Sequence, residues 1–242
     1  IARLGKNLSA GIEDRFPKFD HAPGTLRSER DLWINAIDAE AAEKIDPLQD
    51  GYIQALDIKR LDELAGQYDL RIRILGRPGA FVTKCDTLCE VWVEGKLSDD
   101  ARQSLRACFA LGHSPTVTQN LEFVADQLIE IIARALSPGV NDPYTAIAGI
   151  NWLKVGILQF AACERTIDVF NQYDRVYADP FLFRDFVAMI FDKATPYIAS
   201  NAHVTRHTIA SLEAIAGHLP PGGNRDLIHE QIRLIGKQAD SI

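Results

Sequence analysis

The chain has 242 residues, of which 47% are hydrophobic and 24% are charged, and its formal net charge is -7. This composition supplies enough apolar material for one large core or two small ones and excludes a disordered chain. The acidic balance argues against a general nucleic-acid-binding protein, because such domains are basic.

The first segment, residues 1–28, is predicted to be a helix followed by a linker. Apolar residues recur there at steps of three and four, which is the pattern of an amphipathic helix. They are Ile1, Leu4, Leu8, Ile12 and Phe16. Pro17 and the Pro23-Gly24 pair end the helix. Because the chain starts at Ile1 rather than at a methionine, we expect a further segment upstream of it.

Residues 29–97 change to a strand-like alternation and are predicted to form a β-rich subdomain. The four candidate strands are Trp33–Ile37, Gly51–Leu56, Leu70–Leu75 and Leu88–Val93. Between the second and the third, Asp57 is predicted to cap a short helix that ends at Gly66.

The stretch Arg77–Leu88 resembles the half-barrel hairpin of biotinyl and lipoyl carriers. Such carriers need a lysine at an exposed hairpin tip. Lys84 lacks the flanking residues, and Lys193, within a lipoyl-like Asp-Lys-Ala tripeptide, lies in a helical pattern. The sequence therefore predicts no covalent carrier function and no cofactor.

Residues 98–242 are predicted to form a helical domain, interrupted briefly around residues 174–177. The predicted helices are 99–111, 116 or 118 to about 137, 143–163, 180–199, 201–218 and 224–239. Thr116 with Gln119 has the spacing of a capping box, and Pro196 is expected to kink or split its helix. The two periodicities together predict an α+β fold, with a small β-rich, half-barrel-like N-terminal part before a mainly α-helical domain.

A polar elbow, residues 134–146, joins the two most apolar helical patterns. Pro138 and Gly139 are expected to end the first helix near Ser137. Asp142 stands at the N-cap position of the next helix, with Pro143 at its first position. The elbow is therefore predicted to be a turn between two helices.

The helix after the elbow is apolar except for Asn151, Lys154 and Gln159, which raises the question of a transmembrane span. A lysine near the middle of a span costs roughly 2.5–3.5 kcal/mol. We therefore interpret this segment as the central buried helix of a soluble domain. Asn151, Trp152 and Gln159 then need hydrogen-bond partners, because a buried polar group without one costs about 1–3 kcal/mol.

The elbow also carries the candidate ligand-binding residues. They are Arg134, Ser137, Asn141, Asp142 and Thr145. Convergence of these groups on a small polar ligand or another subunit is one interpretation, and an Arg134–Glu130 ion pair with plain capping by Asp142 is the other. Helix N-termini favour anions, but Asp142 would repel one, so a cation or a neutral group also stays open.

No complete catalytic or metal-binding motif is present. The four cysteines lack zinc-ribbon and thioredoxin spacing, which is typical of buried or idle thiols in a reducing compartment. His203 and His207 share one helix face, but the glutamate of a metalloprotease motif is missing between them. We predict solvated histidines there, no metal and no catalytic residue.

Three stretches together resemble the soluble C-terminal region of a bacterial family of predicted membrane proteins with a domain of unknown function. The stretches are Gly51–Asp57, Arg77–Val82 and Arg134–Ala146, and the third is the most specific. The resemblance implies transmembrane helices upstream of the chain. Where the family has Arg-Thr-x-x-Gln-Asp, this chain has Ser114–Asn120, without the arginine and with an amide in place of the acid, so an anion-binding role of that arginine is not carried over.

Two functions follow from these observations. The first is a non-enzymatic soluble module that assembles or regulates a membrane-embedded channel- or transporter-like protein. Its expected partners are its own upstream transmembrane segment and further copies of itself, and not nucleic acid, with the soluble region on the cytoplasmic side of a bacterial inner membrane. The alternative is a small-molecule-binding hydrolase or transferase with its site at the elbow.

Overall fold

The computed structural model describes residues 1–17, 42–163 and 168–241, so the predicted strand Trp33–Ile37 and the predicted linker at residues 23 and 24 lie outside the described residues. The α+β prediction is confirmed. The chain forms two compact units of discontinuous segments: Ile1–Glu13, Leu121–Arg165 and Phe181–Ile242 form a helical unit, and Asp14–Asn120 and Thr166–Pro180 form a β-rich unit. The division of the chain at residues 28 and 97 stays a prediction.

The described part of the β-rich unit contains two β-sheets and two helices, and its strand pairs are antiparallel with one exception. The strands are β1 (Glu43–Ile45), β2 (Gly51–Leu56), β3 (Arg71–Ile74), β4 (Phe81–Val82), β5 (Cys89–Trp92), β6 (Phe109–Gly112) and β7 (Val176–Ala178). One sheet has the order β1-β5-β3-β7, with β7 parallel to β3, and the other has the order β4-β2-β6. In β3, Ile72 and Ile74 point into the core, whereas Arg71 and Arg73 are half-buried. The alternation of residue types in the sequence therefore corresponds to the two faces of the sheet.

Two helices close the core of this unit. Helix α2 (Ile58–Gln67) starts where the Asp57 carboxylate accepts a 3.0 Å hydrogen bond from the Arg60 N–H, as its N-cap prediction required. Helix α3 (Asp99–Ala107) is shorter than predicted. The predicted continuation to Leu111 is wrong because Phe109–Gly112 is strand β6, which pairs with β2 and receives its hydrogen bonds there.

The helical unit contains α1 (Ala2–Arg15, through Glu13), α4 (Leu121–Ala135), α5 (Pro143–Ala162), α6 (Phe183–Ala199), α7 (Ala202–His218) and α8 (Gly223–Ala239). The prediction that α4 starts at Thr116 or Thr118 is wrong, since those residues lie in the loop before it. Helix α6 runs unbroken through Pro196. The Thr195 hydroxyl donates a 2.6 Å hydrogen bond to the Phe191 carbonyl, and buried residues follow on either side of the proline, so packing outweighs the missing N–H.

Helix α5 is the central element of the helical unit. Its buried residues recur at steps of three and four, and it packs on α4, α6 and α7. Two of the three polar residues predicted to need partners have them: the Gln159 amide donates to the Ser9 carbonyl and to Glu13, and the Asn151 side chain bonds His207. Among the described residues, α5 is also the one helix long and apolar enough to cross a membrane by length and composition. Its buried stripe fits the interior of a helical unit equally well.

Candidate functional site

The elbow is a closed turn held by its own backbone. Helix α4 ends at Ala135, and the Asn141 N–H donates to the Ser137 carbonyl at 3.0 Å. The Asp142 N–H donates back to the Ala135 carbonyl at 2.7 Å. Asn141 adopts a left-handed backbone with φ 46°, a conformation that asparagine tolerates better than most residues. The predicted turn is thus confirmed. Asp142 is the N-cap of the next helix, and Pro143 is the first residue of that helix.

Asp142 is fully engaged as a helix cap. One carboxylate oxygen accepts the N–H groups of Tyr144 and Thr145, both at 3.1 Å, and the other accepts the Thr145 hydroxyl at 2.6 Å. The Thr145 hydroxyl, then the Thr145 and Tyr144 amides, lower the pKa of Asp142 below its usual value. A carboxylate with a depressed pKa stays ionised at neutral pH, which suits a cap and not a proton shuttle.

The other candidate residues of the elbow are also engaged with near neighbours. The Ser137 hydroxyl donates to the Arg134 carbonyl at 2.7 Å, and the Arg134 guanidinium pairs with Glu130 on an exposed helix face. The structure therefore brings Asp142 to Thr145, and Ser137 to the backbone of Arg134, while the Arg134 side chain turns to Glu130. A shared ligand for Arg134, Ser137, Asn141, Asp142 and Thr145 stays a prediction.

A second cluster in the β-rich unit joins three of the sequence stretches noted above. Strand β2 is irregular between Ile53 and Ala55, opposite β6. The Gln54 amide donates to the Ser114 carbonyl at 2.8 Å, and the Thr116 hydroxyl donates to the Gln54 carbonyl at 3.2 Å. The Gln119 side chain both accepts from the Leu56 N–H and donates to its carbonyl, at 2.9 and 3.3 Å.

These contacts explain why the capping-box interpretation of Thr116 and Gln119 is wrong. Both side chains bind the irregular backbone of β2 instead of a helix N-terminus. Such a bulge leaves backbone groups that the neighbouring strand does not satisfy. The signal in the sequence was the Thr-x-x-Gln spacing itself. This spacing occurs both in a capping box and in these side-chain contacts with the β2 backbone.

Gly79 lies in the same cluster, beneath the side chain of Asn120. Its φ is 99°, and a Cβ at this position would lie 2.5 Å from the Asn120 amide nitrogen. The Gly79 N–H donates to the Ile53 carbonyl at 2.7 Å, so the backbone cannot move away without losing that bond. The Arg77-Pro-Gly turn therefore requires glycine.

We predict that Gly79→Ala destabilises the β-rich unit by about 2 kcal/mol, because a side chain is strained at this φ and overlaps the buried Asn120. Urea unfolding monitored by tryptophan fluorescence measures the loss. Gly66→Ala in α2 is the matched control: a Cβ there meets nothing within 4 Å, and stability should stay equal or rise. Equal stability of the Gly79 variant and the wild type would contradict the prediction.

The two histidines of α7 have different surroundings. His207 Nε2 lies 2.8 Å from Asn151 Oδ1 on α5, and the His203 ring lies 6.0 Å from the Tyr144 ring. Burial first, then the charges of His203 and Lys154, lower the pKa of His207 below its usual value. The prediction of solvated histidines thus holds for the exposed His203, whereas His207 is a half-buried contact residue between two helices.

A lowered pKa in the fold means that the unfolded chain binds the His207 proton more readily. The contribution of His207 to the free energy of unfolding is then complete above the pKa of the unfolded chain, about 6.5, and falls as the pH drops below that value. We expect the urea midpoint to fall between about pH 7.5 and about pH 5.5, and His207→Gln to reduce that fall. The exposed His229 gives the control, His229→Gln, which should keep the wild-type fall. An identical fall in both variants would argue against this assignment.

The remaining candidates have structural surroundings. Cys89 and Cys108 are buried, and burial raises the pKa of Cys108 to about 11, which leaves it a thiol at neutral pH. Lys193, the residue of the lipoyl-like tripeptide, is held by Glu122 and Asp126 at 2.8–3.0 Å on a helix. Across residues 1–17, 42–163 and 168–241, no group of three or more His, Cys, Asp or Glu side chains is arranged to hold a metal ion.

The structure therefore defines a class of α+β protein with two compact units and a capped elbow between two helices. Residues 1–214 match the family described as "Predicted membrane protein (DUF2254)", and the chain belongs to this family. Uncharacterized protein Rv1290c of Mycobacterium tuberculosis is 33% identical over 108 residues, which cover 43% of this chain and 20% of the relative. Uncharacterized protein Mb1321c of Mycobacterium bovis matches to the same extent. The chain thus spans about one fifth of the length of these relatives, and no solved structure matches it.

Proposed function

We propose that this chain is the soluble, non-enzymatic module of a membrane protein, and that it assembles or regulates a channel- or transporter-like membrane-embedded part. The observation that carries the proposal is membership of a predicted membrane protein family. Most of the length of its relatives lies outside the stretch that this chain matches, which leaves room for a membrane-embedded part. The same proposal places the module on the cytoplasmic side of a bacterial inner membrane, as a homo-oligomer.

Two features of the chain support an assembly role over catalysis. Helix α5 directs a regular stripe of apolar residues at neighbouring helices, as a central helix in a water-exposed unit does. At the elbow, the Asp142 carboxylate, the Ser137 hydroxyl and the Arg134 guanidinium all bond within the elbow or to the adjoining turn. A hydrolase or transferase centred there would need such groups directed at a substrate, so the alternative has less support.

Oligomeric state tests the assembly role. The full-length protein, purified in detergent, is measured by size-exclusion chromatography with light scattering. We expect a single oligomer larger than the monomer, because channel- and transporter-like assemblies surround or pair around a shared membrane part. A strict monomer of the full-length protein would argue against the proposal.

Sidedness is tested with a cysteine that the chain already carries. Cys85 is exposed, whereas Cys89 and Cys108 are buried. A membrane-impermeant maleimide should label Cys85 in inverted membrane vesicles but not in intact spheroplasts. The Cys85→Ser variant is the matched control, since any label that it retains comes from other cysteines. Labelling of Cys85 in spheroplasts would place the module on the opposite side.

A further inference from the structure

One face of the helical unit gathers basic side chains next to exposed apolar ones. It is formed by residues 144–155 of α5 and residues 203–207 of α7, and we call it the basic face. Its members are Tyr144, Lys154, Val155, His203, Arg206 and His207. None of these residues was a candidate for ligand binding in the elbow.

Contacts between the two helices make this face continuous. The Tyr144 ring stands edge-on to the His203 ring at 6.0 Å, and His207 bonds Asn151 of α5. Lys154 and His203 both oppose protonation of His207 and help to lower its pKa, so they lie within electrostatic range of it. Arg206 is exposed and lies three residues after His203, which places the two side by side on α7.

The positive groups of the basic face lack acidic partners. Within the described ranges, no carboxylate lies within ion-pair distance of Lys154, His203, Arg206 or His207. Asp142 is the N-cap of α5, and its oxygens are taken by Thr145 and by backbone amides. Along α7 the next acid on the side of Arg206 is Glu213, about 10 Å further on. Lys154 and Arg206, the two cations of the basic face, are notable on a chain whose net charge is -7.

Exposed apolar groups complete the face. Tyr144 is 76% exposed and Val155 is 43% exposed, although both belong to the most apolar helix of the chain. A tyrosine combines an apolar ring with a polar hydroxyl and favours the boundary between water and lipid. Basic side chains near such a boundary are attracted to anionic headgroups.

We propose that the basic face docks on the anionic lipid headgroups of the membrane. This inference rests on the proposed function, because it supplies the surface through which a soluble module approaches its own membrane. Arg206 and Lys154 contact lipid phosphates, and Tyr144 and Val155 enter the headgroup layer. The two histidines add charge when they are protonated.

Vesicle co-sedimentation of the 242-residue chain tests the docking. We expect binding to phosphatidylcholine vesicles that contain about one third phosphatidylglycerol, weak binding to pure phosphatidylcholine, and loss of binding when salt rises from about 0.05 M to about 0.5 M. Arg206→Glu should lower the partition coefficient about tenfold. Arg233→Glu on α8, whose side chain is 74% exposed, changes the net charge equally and should keep wild-type binding. Tyr144→Ala should weaken binding at about 0.05 M salt.

Several outcomes would overturn the docking surface. Equal binding to neutral and anionic vesicles would remove the electrostatic part, and an equal loss in the Arg206 and Arg233 variants would show that net charge alone acts. Displacement by millimolar inorganic phosphate, with no dependence on lipid composition, would assign the face to a soluble anion. Circular dichroism of each variant separates loss of binding from loss of fold. If vesicles are not bound while the full-length protein is oligomeric and Cys85 labels as expected, the docking surface fails and the proposed function stands.

Discussion

Phe186→Ala is expected to destabilise the helical unit by about 3–5 kcal/mol, since truncation of a buried phenylalanine loses both its transfer free energy and its packing. Phe186 is fully buried on α6. Its ring stacks on Phe160 of α5 at a centroid distance of 4.6 Å and an angle of 12°, and Phe181 stands edge-on to it at 6.4 Å. Aromatic pairs of this kind add about 0.5–1.5 kcal/mol beyond area burial.

The close approach of α5 to this ring makes relaxation into the cavity difficult. A Cβ at Gly156 would lie 3.6 Å from the Phe186 ring and 2.8 Å from Leu8 of α1, so three helices meet around one aromatic side chain. Phe186→Leu keeps most of the volume and should cost less than about 1.5 kcal/mol. Tyr197→Ala, on the exposed side of the same helix, should cost no more than about 0.5 kcal/mol. Urea unfolding of the three variants gives the order, and an alanine variant as stable as the leucine variant would show that the site collapses without cost.

Local rules in the sequence accounted for most of the helices. Asp57, Asp142 and Asn201 each begin a helix because a carboxylate or amide oxygen accepts amides two or three residues later, and this depends only on near neighbours. The elbow followed from Pro138, Gly139 and Pro143 for the same reason. Periodicity likewise predicted helix α1 and three of the strands.

Features that depend on distant partners were missed. Phe109–Gly112 has the composition of a helix end, and only β2, more than fifty residues earlier, makes it a strand. Thr116 and Gln119 have the spacing of a capping box, and the same spacing serves their contacts with the β2 backbone. The sequence alone therefore does not distinguish the two arrangements. Strand β7 joins the first sheet from residues that lie beyond α5, a pairing that no local pattern encodes. The candidate site showed the same limit: the Asp142 cap was predictable, whereas the contact of His207 with Asn151 was not.

Asp168→Asn is expected to destabilise the β-rich unit by about 3 kcal/mol, because it removes the carboxylate charge that two N–H groups of the buried Arg15 guanidinium contact. The Asp168 and Arg15 side chains are only 6% and 12% exposed. Both Nε and Nη2 of Arg15 donate to one oxygen of Asp168, at 2.9 and 2.8 Å. The other oxygen accepts the Phe170 N–H at 3.1 Å and caps the short 3-10 helix there. Asparagine retains an oxygen for that cap, so the variant isolates the loss of charge.

A double variant distinguishes the cost of removing the Asp168 charge beside Arg15 from the net value of the pair. Arg15 also lies over the Phe170 ring, with its guanidinium carbon 5.3 Å from the centroid, so it packs against an apolar surface. Arg15→Met with Asp168→Asn removes the cation but keeps an apolar chain over that ring, and we expect it to recover more than half of the loss. Urea unfolding at about 0.1 M and about 1 M salt should give similar losses, because a buried pair is weakly screened. A single variant within about 0.5 kcal/mol of the wild type would mean that water reaches Arg15 and that this pair is no more than a surface contact.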